Sequence, residues 1–231
     1  MNIRILQLVE GAREARGLTV IIDVFRAFSM EAYFFAQGAE KIIPVGDEVL
    51  ARRLKDENLE FILAGERNGK ILPGFDTGNA PSELWRLDIK GKTVVHTTSA
   101  GTQGIANAIY ADEILGASLV NAKATAEYIK ASRAEEVSLV CMGWAAQYPT
   151  EEDTLCAEYI KSLLEGTPFD IGSGVESLKQ TSGAKFFDPE QNDVFPREDF
   201  FMCTAVDKFN FVLKLKKEEN CIPYIVKQEI L

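Results

Sequence analysis

The stretch LTVIIDVFRAFSMEAYFFAQGAEKIIPV, residues 18 to 45, contains two strand patterns with a helix pattern between them. LTVIIDV (18 to 24) and KIIPV (41 to 45) are short, apolar and rich in β-branched residues, as buried strands of parallel sheets are. SMEAYFFAQGA (29 to 39) places apolar residues at helical spacing. Since parallel strands are joined by crossover helices, this stretch predicts a βαβ unit.

The same alternation continues as far as residue 166. Four more strands are predicted at 59 to 64, 92 to 98, 111 to 118 and 136 to 142, and four more helices at 47 to 57, 102 to 110, 121 to 132 and 151 to 166. The sequence therefore predicts an α/β fold of mostly parallel sheets with helices on both faces. We expect two interleaved α/β halves with a cleft between them.

The alternation is lost beyond Gly166. We predict that residues 1–166 form the α/β core and carry all the motifs, and that residues 167–231 pack back on that core. Within this C-terminal segment the sequence predicts a turn-rich loop that could cover the cleft at 167 to 198, an amphipathic helix at 200 to 217 and a final strand at 222 to 226.

Composition limits the class of function. The chain of 231 residues is 46% hydrophobic and 26% charged, which is ordinary for a soluble globular protein. Its net charge of -10 argues against binding to nucleic acid, which needs clustered Lys and Arg. No apolar run approaches the roughly 20 residues that span a bilayer, and MNIRILQLVEG lacks a signal-peptide pattern. We expect a cytoplasmic protein without membrane association; a homo-oligomer remains open.

In α/β sheets ligands bind outside the carboxyl ends of the strands, and the first predicted strand ends in two charged residues. Asp23 closes that strand and Arg26 follows three residues later. The carboxylate could hold a hard cation, and the guanidinium could bind a phosphate or carboxylate. A structural Asp–Arg pair or a helix cap explains the same residues equally well. Both interpretations stay open at this point.

The second strand end leads into GERNGKILPGFDTGNAPSE, residues 65 to 83. A loop this long and polar is usually functional or disordered, and its closely spaced turn formers argue against disorder. Glu66 and Arg67 repeat the pairing of acid and base, so a functional site is favoured for them. For Asn79 and Ser82 a helix cap is slightly favoured over a ligand-binding role, because Pro81 reads as a helix start.

The third strand end is HTTSAGTQG, residues 96 to 104. Small residues at a strand-to-helix turn expose backbone N–H groups, which together with the helix dipole attract phosphate or sulfonate. The loop is neither a Walker loop nor a dinucleotide-binding loop, because the Lys and the G-x-G-x-x-G spacing are missing. His96, the only histidine, is predicted to be packed in the core rather than to act as a catalytic base.

The fourth strand end precedes the acidic helix start Glu151, Glu152 and Asp153. Negative charge is favourable in the first turn of a helix, which is a sufficient structural explanation. Asp153 could instead be a metal ligand. Cys156 lies one turn later and could face the same cleft, although helical cysteines are more often buried.

These motifs occur together in an order that resembles the 2-phosphosulfolactate phosphatase family. The resemblance rests on Asp-Val-x-Arg-Ala at 23 to 27, Gly-Glu-Arg-x-Gly at 65 to 69, Pro-Gly-Phe-Asp-x-Gly-Asn-x-Pro at 73 to 81, Gly-Lys-Thr-Val-Val at 91 to 95, Thr-Thr-x-x-Gly-Thr at 97 to 102 and Glu-Asp-x-x-Cys-Ala at 152 to 157. It extends from about residue 19 to residue 164. Several motifs in one order are far more specific than any single motif.

The resemblance implies an α/β hydrolase with its active site in a cleft and a requirement for Mg²⁺. The implied substrate is a small anionic phosphate ester, (2R)-phospho-3-sulfolactate, converted to sulfolactate and phosphate in coenzyme M biosynthesis. The motif positions that it implies for the site are Asp23, Arg26, Glu66, Arg67, Asn79, Thr97, Thr98, Gly101, Thr102 and Asp153.

We assign roles to these positions on chemical grounds. Asp23, Glu66 and Asp153 are predicted to hold or orient Mg²⁺, which prefers carboxylate oxygens. Arg26, Arg67 and the loop 97 to 102, which includes Ser99, are predicted to bind the phosphoryl and sulfonate oxygens.

The sequence departs from the usual family pattern at several positions, which include Phe25, Phe28, Ala100 and Glu158. We expect the added aromatic rings and the loss of a donor at residue 100 to reshape the pocket, which leaves the exact substrate open. Attack by a metal-polarised water is the first hypothesis, and a phosphoenzyme on Asp23 or Cys156 is the alternative. A non-catalytic binder or sensor of an anionic metabolite is the competing class of function.

Overall fold

The apolar strand patterns pair into one ten-stranded sheet in this computed structural model, which describes residues 1–230. The strands are β1 (Asn2–Gln7), β2 (Gly17–Ile22), β3 (Lys41–Pro44), β4 (Ile62–Arg67), β5 (Lys70–Ile71), β6 (Thr93–Thr97), β7 (Ala111–Ala117), β8 (Glu136–Cys141), β9 (Phe211–Lys216) and β10 (Tyr224–Glu229). The α-helices are α1 (Leu8–Glu14), α2 (Ala27–Ala36), α3 (Glu48–Glu57), α4 (Gly101–Asn107), α5 (Ala122–Ser132), α6 (Glu151–Glu165), α7 (Ile171–Leu178) and α8 (Arg197–Cys203). None of these helices is long and apolar enough to cross a membrane.

The order of the strands is β1-β8-β2-β7-β9-β10-β3-β6-β4-β5. Strands β1, β8, β2 and β7 form one parallel block, and β3, β6 and β4 form a second. The C-terminal hairpin β9–β10 joins the two blocks through antiparallel pairs. The predicted α/β fold with a mostly parallel sheet is therefore confirmed, and the two blocks draw on alternating parts of the chain.

The sheet must curl so that its two blocks face each other. Five strand spacings separate β2 from β6, which is about 24 Å in a flat sheet. Gly101 lies only four residues beyond β6, a reach of at most about 14 Å. Yet its backbone N–H donates to the Asp23 carboxylate, just beyond β2, at 2.9 Å. Curvature therefore brings the carboxyl ends of the two blocks together.

Helix α2 is buried from Ala27 to Phe35. A helix that is apolar around its whole circumference belongs in a core rather than on a surface. Its side chains form one cluster with Ile21 and Leu213 near the first block and with Val94 of the second. The helix therefore packs between the two blocks, and it carries one buried acid, Glu31, into that core.

The C-terminal segment differs from its prediction. The helix expected over residues 200 to 217 is wrong beyond Cys203, because residues 211 to 216 form strand β9. Phe211, Leu213 and Leu215 pack in one core cluster and Val212 packs in another, which is the two-residue period of a strand buried on both faces. The region 167 to 198 is also not a plain loop, since it contains α7 and two 3₁₀ turns.

Candidate active site

A partly enclosed cavity lies where β2, β4, β6 and β8 end. It contains about 390 Å³ of space that no atom fills, a volume that includes its open mouth. Its walls are Asp23, Phe25, Arg26, Glu66, Asn68, Gly69, Asn79, Ser99, Ala100, Gly143, Trp144, Ala145 and Phe195. The structure thus brings Asp23, Arg26, Glu66, Asn79 and Ser99 together as predicted.

Asp23 combines the two roles that the sequence left open. Its Oδ1 accepts a hydrogen bond from the Ala27 N–H at 3.1 Å, at the first residue of α2. Its Oδ2 accepts from the Gly101 N–H at 2.9 Å. The carboxylate therefore caps a buried helix on one side and faces the cavity on the other, and it links the two blocks of the sheet.

Glu66 holds two loops in the same way. Its Oε2 accepts from the Gly69 N–H at 2.7 Å, and its Oε1 accepts from the Ser99 N–H at 2.7 Å. Gly69 has φ +79°, and a Cβ there would lie 2.5 Å from Phe195 Cζ. Only glycine fits this turn, both for its backbone conformation and for the aromatic ring packed against it.

Four of the backbone amides in the loop 97 to 102, which its composition predicts to be free for an anion, bond to protein groups instead. The N–H groups of Ser99 and Gly101 donate to Glu66 and Asp23. The N–H groups of Thr98 and Thr102 donate to each other's hydroxyl oxygens at 3.2 Å. Ser99 and Ala100 line the cavity, whereas Thr97, Thr98, Gly101 and Thr102 are not among its walls. Two amides of the loop therefore position carboxylates, and two more are used within the loop itself.

Asp153 lies behind the cavity wall. Its Oδ1 accepts from the Val24 N–H and its Oδ2 from the Gly143 N–H, both at 2.8 Å. It thereby ties the ends of β2 and β8 to the first turn of α6. Its two oxygens hold backbone amides, and it is not among the residues that line the cavity.

The two arginines of the motifs have different surroundings. Arg26 is buried and its Nη1 donates to Asp199 Oδ2 at 2.7 Å, in an ion pair whose two side chains are 3% and 0% exposed. Arg26 also donates to the carbonyls of Val194 and Gly69 at 3.0 Å. Arg67 instead donates to the Glu66 carbonyl at 2.6 Å and to Thr97 Oγ1 at 3.1 Å, and it is not a cavity wall.

Negative charge is concentrated around the cavity. Burial, reinforced by the nearby charges of Glu66 and Glu152, raises the pKa of Asp23 to about 7. Burial also raises the pKa of Glu152 and of Asp153. Glu152 Oε2 is buried with no hydrogen-bond partner among the described residues. Such a cluster of carboxylates is unfavourable without a compensating cation.

Lys185 supplies positive charge from the C-terminal segment. Its Nζ lies 4.4 Å from the centroid of the Trp144 ring and 5.1 Å from that of Phe195, and both rings line the cavity. Burial lowers its pKa, and the charge of Glu152 opposes that shift. A lysine held by aromatic faces keeps its N–H donors available for an anion.

The buried thiols do not meet the requirements of a nucleophile. Cys156 is 0% exposed, and burial raises its pKa well above the ordinary value, as burial also does for Cys141. The thiolate is the reactive form, so both groups stay inert at neutral pH. The packing role preferred for Cys156 agrees with this burial. His96 is also packed, with both ring nitrogens in hydrogen bonds inside the core.

The cavity could hold a magnesium ion, but with two of the three predicted carboxylate ligands. Among residues 1–230 no three His, Cys, Asp or Glu side chains come together as a ready metal site. Mg²⁺, however, is often held by one or two carboxylates with waters and substrate oxygens. Asp23 and Glu66 share one cavity and carry negative charge that needs compensation. The donor set therefore fits an ion held by these two residues, whereas Asp153 does not line the cavity.

Several residues of the site were missed by the sequence patterns. Trp144 lies three residues beyond the end of β8, so the rule that ligands bind at strand ends could have identified it. Phe195, Asp199 and Lys185 lie in the region where the alternation of strands and helices is lost, and no local pattern marks them. Asn79 is not a helix cap, since its Oδ1 faces His96 at 2.7 Å, while Pro81 does begin the 3₁₀ helix Pro81–Arg86.

Comparison with known proteins identifies the family of the chain. The family model described as 2-phosphosulpholactate phosphatase matches residues 4–218. The chain belongs to the 2-phosphosulpholactate phosphatase family. A Bacillus subtilis protein named "Probable 2-phosphosulfolactate phosphatase" is 32% identical over 206 residues, which is 87% of this chain and 88% of that protein.

Two further relatives carry the same name. The protein of Caldanaerobacter subterraneus is 32% identical over 211 residues, covering 85% of this chain and 87% of its own. That of Caldicellulosiruptor saccharolyticus is 41% identical over 148 residues, covering 62% and 61% of the two chains. These matches confirm the resemblance that the motifs indicated.

These four departures from the family pattern differ in their position relative to the cavity. Phe25 and Ala100 line the cavity, so they are the ones in a position to shape it. Phe28 is a fully buried core residue against Gly116, where a Cβ would lie 2.5 Å from its ring. Glu158 is exposed on α6 and borders a different surface pocket. The expected reshaping of the pocket therefore falls to Phe25 and Ala100 and not to Phe28.

We expect the metal-free protein to lose stability as the pH rises from about 4 to about 7. With its pKa raised to about 7, Asp23 keeps a proton in the folded state that the unfolded chain, with the ordinary value of 3.8, has released. The folded state then binds more protons, so the free energy of unfolding falls with pH, by up to about 4 kcal/mol. Urea unfolding in a chelator at several pH values measures this slope.

Asp23→Asn is the control for that slope. The variant removes the titrating group, so its free energy of unfolding should depend less on pH in the same window. Glu152 and Asp153, whose pKa values are also raised, would account for any remaining slope of the same sign. Equal slopes in the two proteins would contradict the assignment to Asp23.

Proposed function

We propose that this protein is a Mg²⁺-dependent phosphatase that hydrolyses (2R)-phospho-3-sulfolactate to sulfolactate and phosphate. The observation that carries the proposal is the cavity in which Asp23 and Glu66, from the two blocks of the sheet, lie beside Arg26. Lys185 is not itself a cavity wall, but it packs against the rings of two walls, Trp144 and Phe195. Opposite charges that face one small space suit a metal ion together with an anionic ester. Membership of the family supports the identity of that ester.

Asp23 and Glu66 are the residues that would hold Mg²⁺ in this cavity. Each already uses its oxygens to accept backbone N–H groups, which fixes the direction of the remaining lone pairs. When bound, the ion would polarise a phosphoryl oxygen or a water and neutralise developing charge. Carboxylates fixed in this way would need little rearrangement during the reaction.

The chain's own donors must then bind the substrate's negative charge. Enzymes accelerate phosphate monoester hydrolysis by up to ~10²¹, roughly 28 kcal/mol, while one oxyanion donor contributes about 3 kcal/mol. Several groups must therefore converge. Lys185 is the cation with unused donors, and Asn79 presents a side-chain amide. Arg26 is committed to Asp199, so it would contribute mainly through its charge.

The aromatic walls would exclude water from the anionic groups. Phe25, Trp144 and Phe195 form one side of the cavity, and the ring centroids of Trp144 and Phe195 are 6.1 Å apart. Their apolar faces lower the local dielectric, which strengthens the attraction between Lys185 and an anion. They also leave space for the short carbon chain of a sulfolactate.

The test of the proposal is an assay of phosphate release. Purified protein is incubated with phosphosulfolactate and with a panel of small phosphate monoesters, first with Mg²⁺ and then with an excess of chelator. We expect release from phosphosulfolactate that the chelator abolishes and added Mg²⁺ restores. No release from any ester would support a non-catalytic binder or sensor instead.

The route of attack is a separate question. Either a water attacks phosphorus in line with the departing alkoxide, or Asp23 attacks first and forms an acyl phosphate. The two hydrogen bonds that Asp23 accepts reduce its nucleophilicity, which favours attack by water. Rapid acid quench with ³²P-labelled substrate distinguishes the routes, because labelled protein would show the covalent one.

Lys185→Met is expected to raise the KM for phosphosulfolactate by about 10-fold or more, because it removes a partly desolvated charge–charge contact of about 1.5–3 kcal/mol. The methionine keeps the apolar stem between the rings, so the fold should be unchanged. Steady-state kinetics and thermal unfolding measure both quantities. Lys179→Met is the matched control, because Lys179 lies on the same segment and pairs with Glu176. Equal effects of the two variants would contradict the role of Lys185.

A further inference from the structure

A chain of three buried polar side chains runs from the core to the cavity. Glu31 on α2 lies 2.9 Å from His96 Nδ1, measured from its Oε1. His96 Nε2, on β6, lies 2.7 Å from Asn79 Oδ1. Glu31 and His96 are 0% exposed, and Asn79 is 4% exposed and lines the cavity. Such a polar chain in the core costs free energy unless it is fully satisfied or functional.

The protons of this chain have few allowed positions. Asn79 Oδ1 can only accept, so His96 Nε2 must carry a hydrogen and donate it. At Nδ1 one proton is shared with Glu31, either as an imidazolium beside a carboxylate or as a neutral imidazole beside a carboxylic acid. Burial raises the pKa of Glu31, which permits the second form. In both forms the hydrogen bond to Asn79 has the same direction.

The direction of that bond decides which end of Asn79 meets a ligand. With Oδ1 held by His96, the NH₂ group is the remaining polar end of a side chain that lines the cavity. Among residues 1–230 no acceptor bonds that NH₂ group. An amide fixed in this way presents donors and no acceptor, which suits an anion and repels a cation.

We propose that Glu31 and His96 are positioning residues that orient Asn79 so that its amide N–H groups donate to an oxyanion of the substrate. This inference rests on the proposed function. It extends the site by a buried pair that never touches the substrate and acts through Asn79. It also explains why an acid and the only histidine of the chain are enclosed together in an otherwise apolar core.

The decisive variant is Asn79→Asp. Aspartate keeps an oxygen for His96 Nε2, so the buried chain remains intact, but it replaces the N–H donors with a second acceptor. We expect the protein to stay folded, with a lower thermal stability because one more buried carboxylate joins Asp23 and Glu66, and a loss of roughly 10²-fold or more in kcat/KM. Retention of most of the activity would overturn the inference, because Asn79 would then serve only as an acceptor for His96.

A double-mutant cycle tests the positioning role. Removal of the imidazole by His96→Phe should lower kcat/KM, and His96→Phe combined with Asn79→Ala should be no worse than Asn79→Ala alone. Glu31→Met should behave like His96→Phe. In contrast, the loss of kcat/KM in His96→Phe combined with Lys185→Met should be the product of the two separate losses, because Lys185 acts independently of Asn79. If the losses of kcat/KM caused by His96→Phe and by Asn79→Ala also multiply in the double variant, the positioning role is overturned.

Calorimetric titration with sulfolactate separates failure of this inference from failure of the proposed function. Weaker binding by Asn79→Asp than by wild type supports the donor role, whether or not turnover is seen. Equal binding and equal turnover overturn the donor role while the phosphatase stands. A wild-type protein that neither binds sulfolactate nor releases phosphate from any ester overturns both proposals.

Discussion

Asp23→Asn is expected to lower kcat for phosphosulfolactate by at least about 10³-fold while the protein stays folded. Loss of one well-placed charge-stabilising group costs 10²–10³ in rate, and Asp23 would serve as a metal ligand as well. The asparagine oxygen can still accept from the Ala27 N–H. Its NH₂ group cannot accept from Gly101, which costs about 1 kcal/mol.

The fold should tolerate this change because a buried charge is removed with the hydrogen bond. Asp23 is destabilised by burial and by the nearby charges of Glu66 and Glu152. In the absence of metal the neutral asparagine relieves that repulsion. The melting temperature of the metal-free variant should therefore be close to or above that of the wild type. Addition of Mg²⁺ should raise the melting temperature of the wild type only.

Asp47→Asn is the matched control for Asp23→Asn. Asp47 is also an aspartate that caps a helix, since it accepts from the N–H groups of Val49 and Leu50 at the start of α3. It is not among the cavity walls. Its replacement should leave kcat and the response to Mg²⁺ unchanged. Retained turnover in Asp23→Asn would move the catalytic centre to another part of the molecule.

Asp23 shows why part of this site could be predicted from sequence. Strand β2 is apolar and short, so its end is visible in the sequence, and parallel strands place their carboxyl ends at one edge of a sheet. The same logic located Glu66 and Ser99. It does not reveal which group each polar atom will bond. The amides of Ser99 and Gly101 were expected to bind an anion, and instead they hold the two carboxylates.

The part of the site that could not be predicted depends on contacts between segments that are distant in the sequence. Asp199 lies 173 positions from Arg26, and Lys185 reaches the rings of Trp144 and Phe195 from a region without strand or helix periodicity. Strands β9 and β10, from the C-terminal part of the chain, lie between the two blocks, and the sheet curls across them to bring Asp23 to Gly101. No local pattern contains that information, because strand order is decided by packing across the whole chain.

The second large expected effect concerns the stability of the fold and is obtained by replacing Arg26. Arg26→Met is expected to lower the free energy of unfolding by about 3–5 kcal/mol, because it leaves Asp199 buried and without its charge partner. Asp199 is 0% exposed, and Arg26 also donates to two backbone carbonyls that would lose their donors. Urea unfolding measures the change. Arg67→Met is the control, since Arg67 is partly exposed and has no salt bridge within residues 1–230. We expect it to cost about 1 kcal/mol.

The source of the Arg26 effect can be isolated with a second substitution. Asp199→Asn in the Arg26→Met background removes the unpaired charge but keeps an oxygen for the Ser82 N–H, which donates to Asp199 at 2.9 Å. We expect the double variant to be more stable than Arg26→Met alone, because an unpaired buried charge costs more than a neutral amide. If the double variant is less stable, the loss comes from packing against Phe195, whose ring lies 5.1 Å from the guanidinium. Arg26 would then be a packing residue, and the ion pair with Asp199 would contribute little.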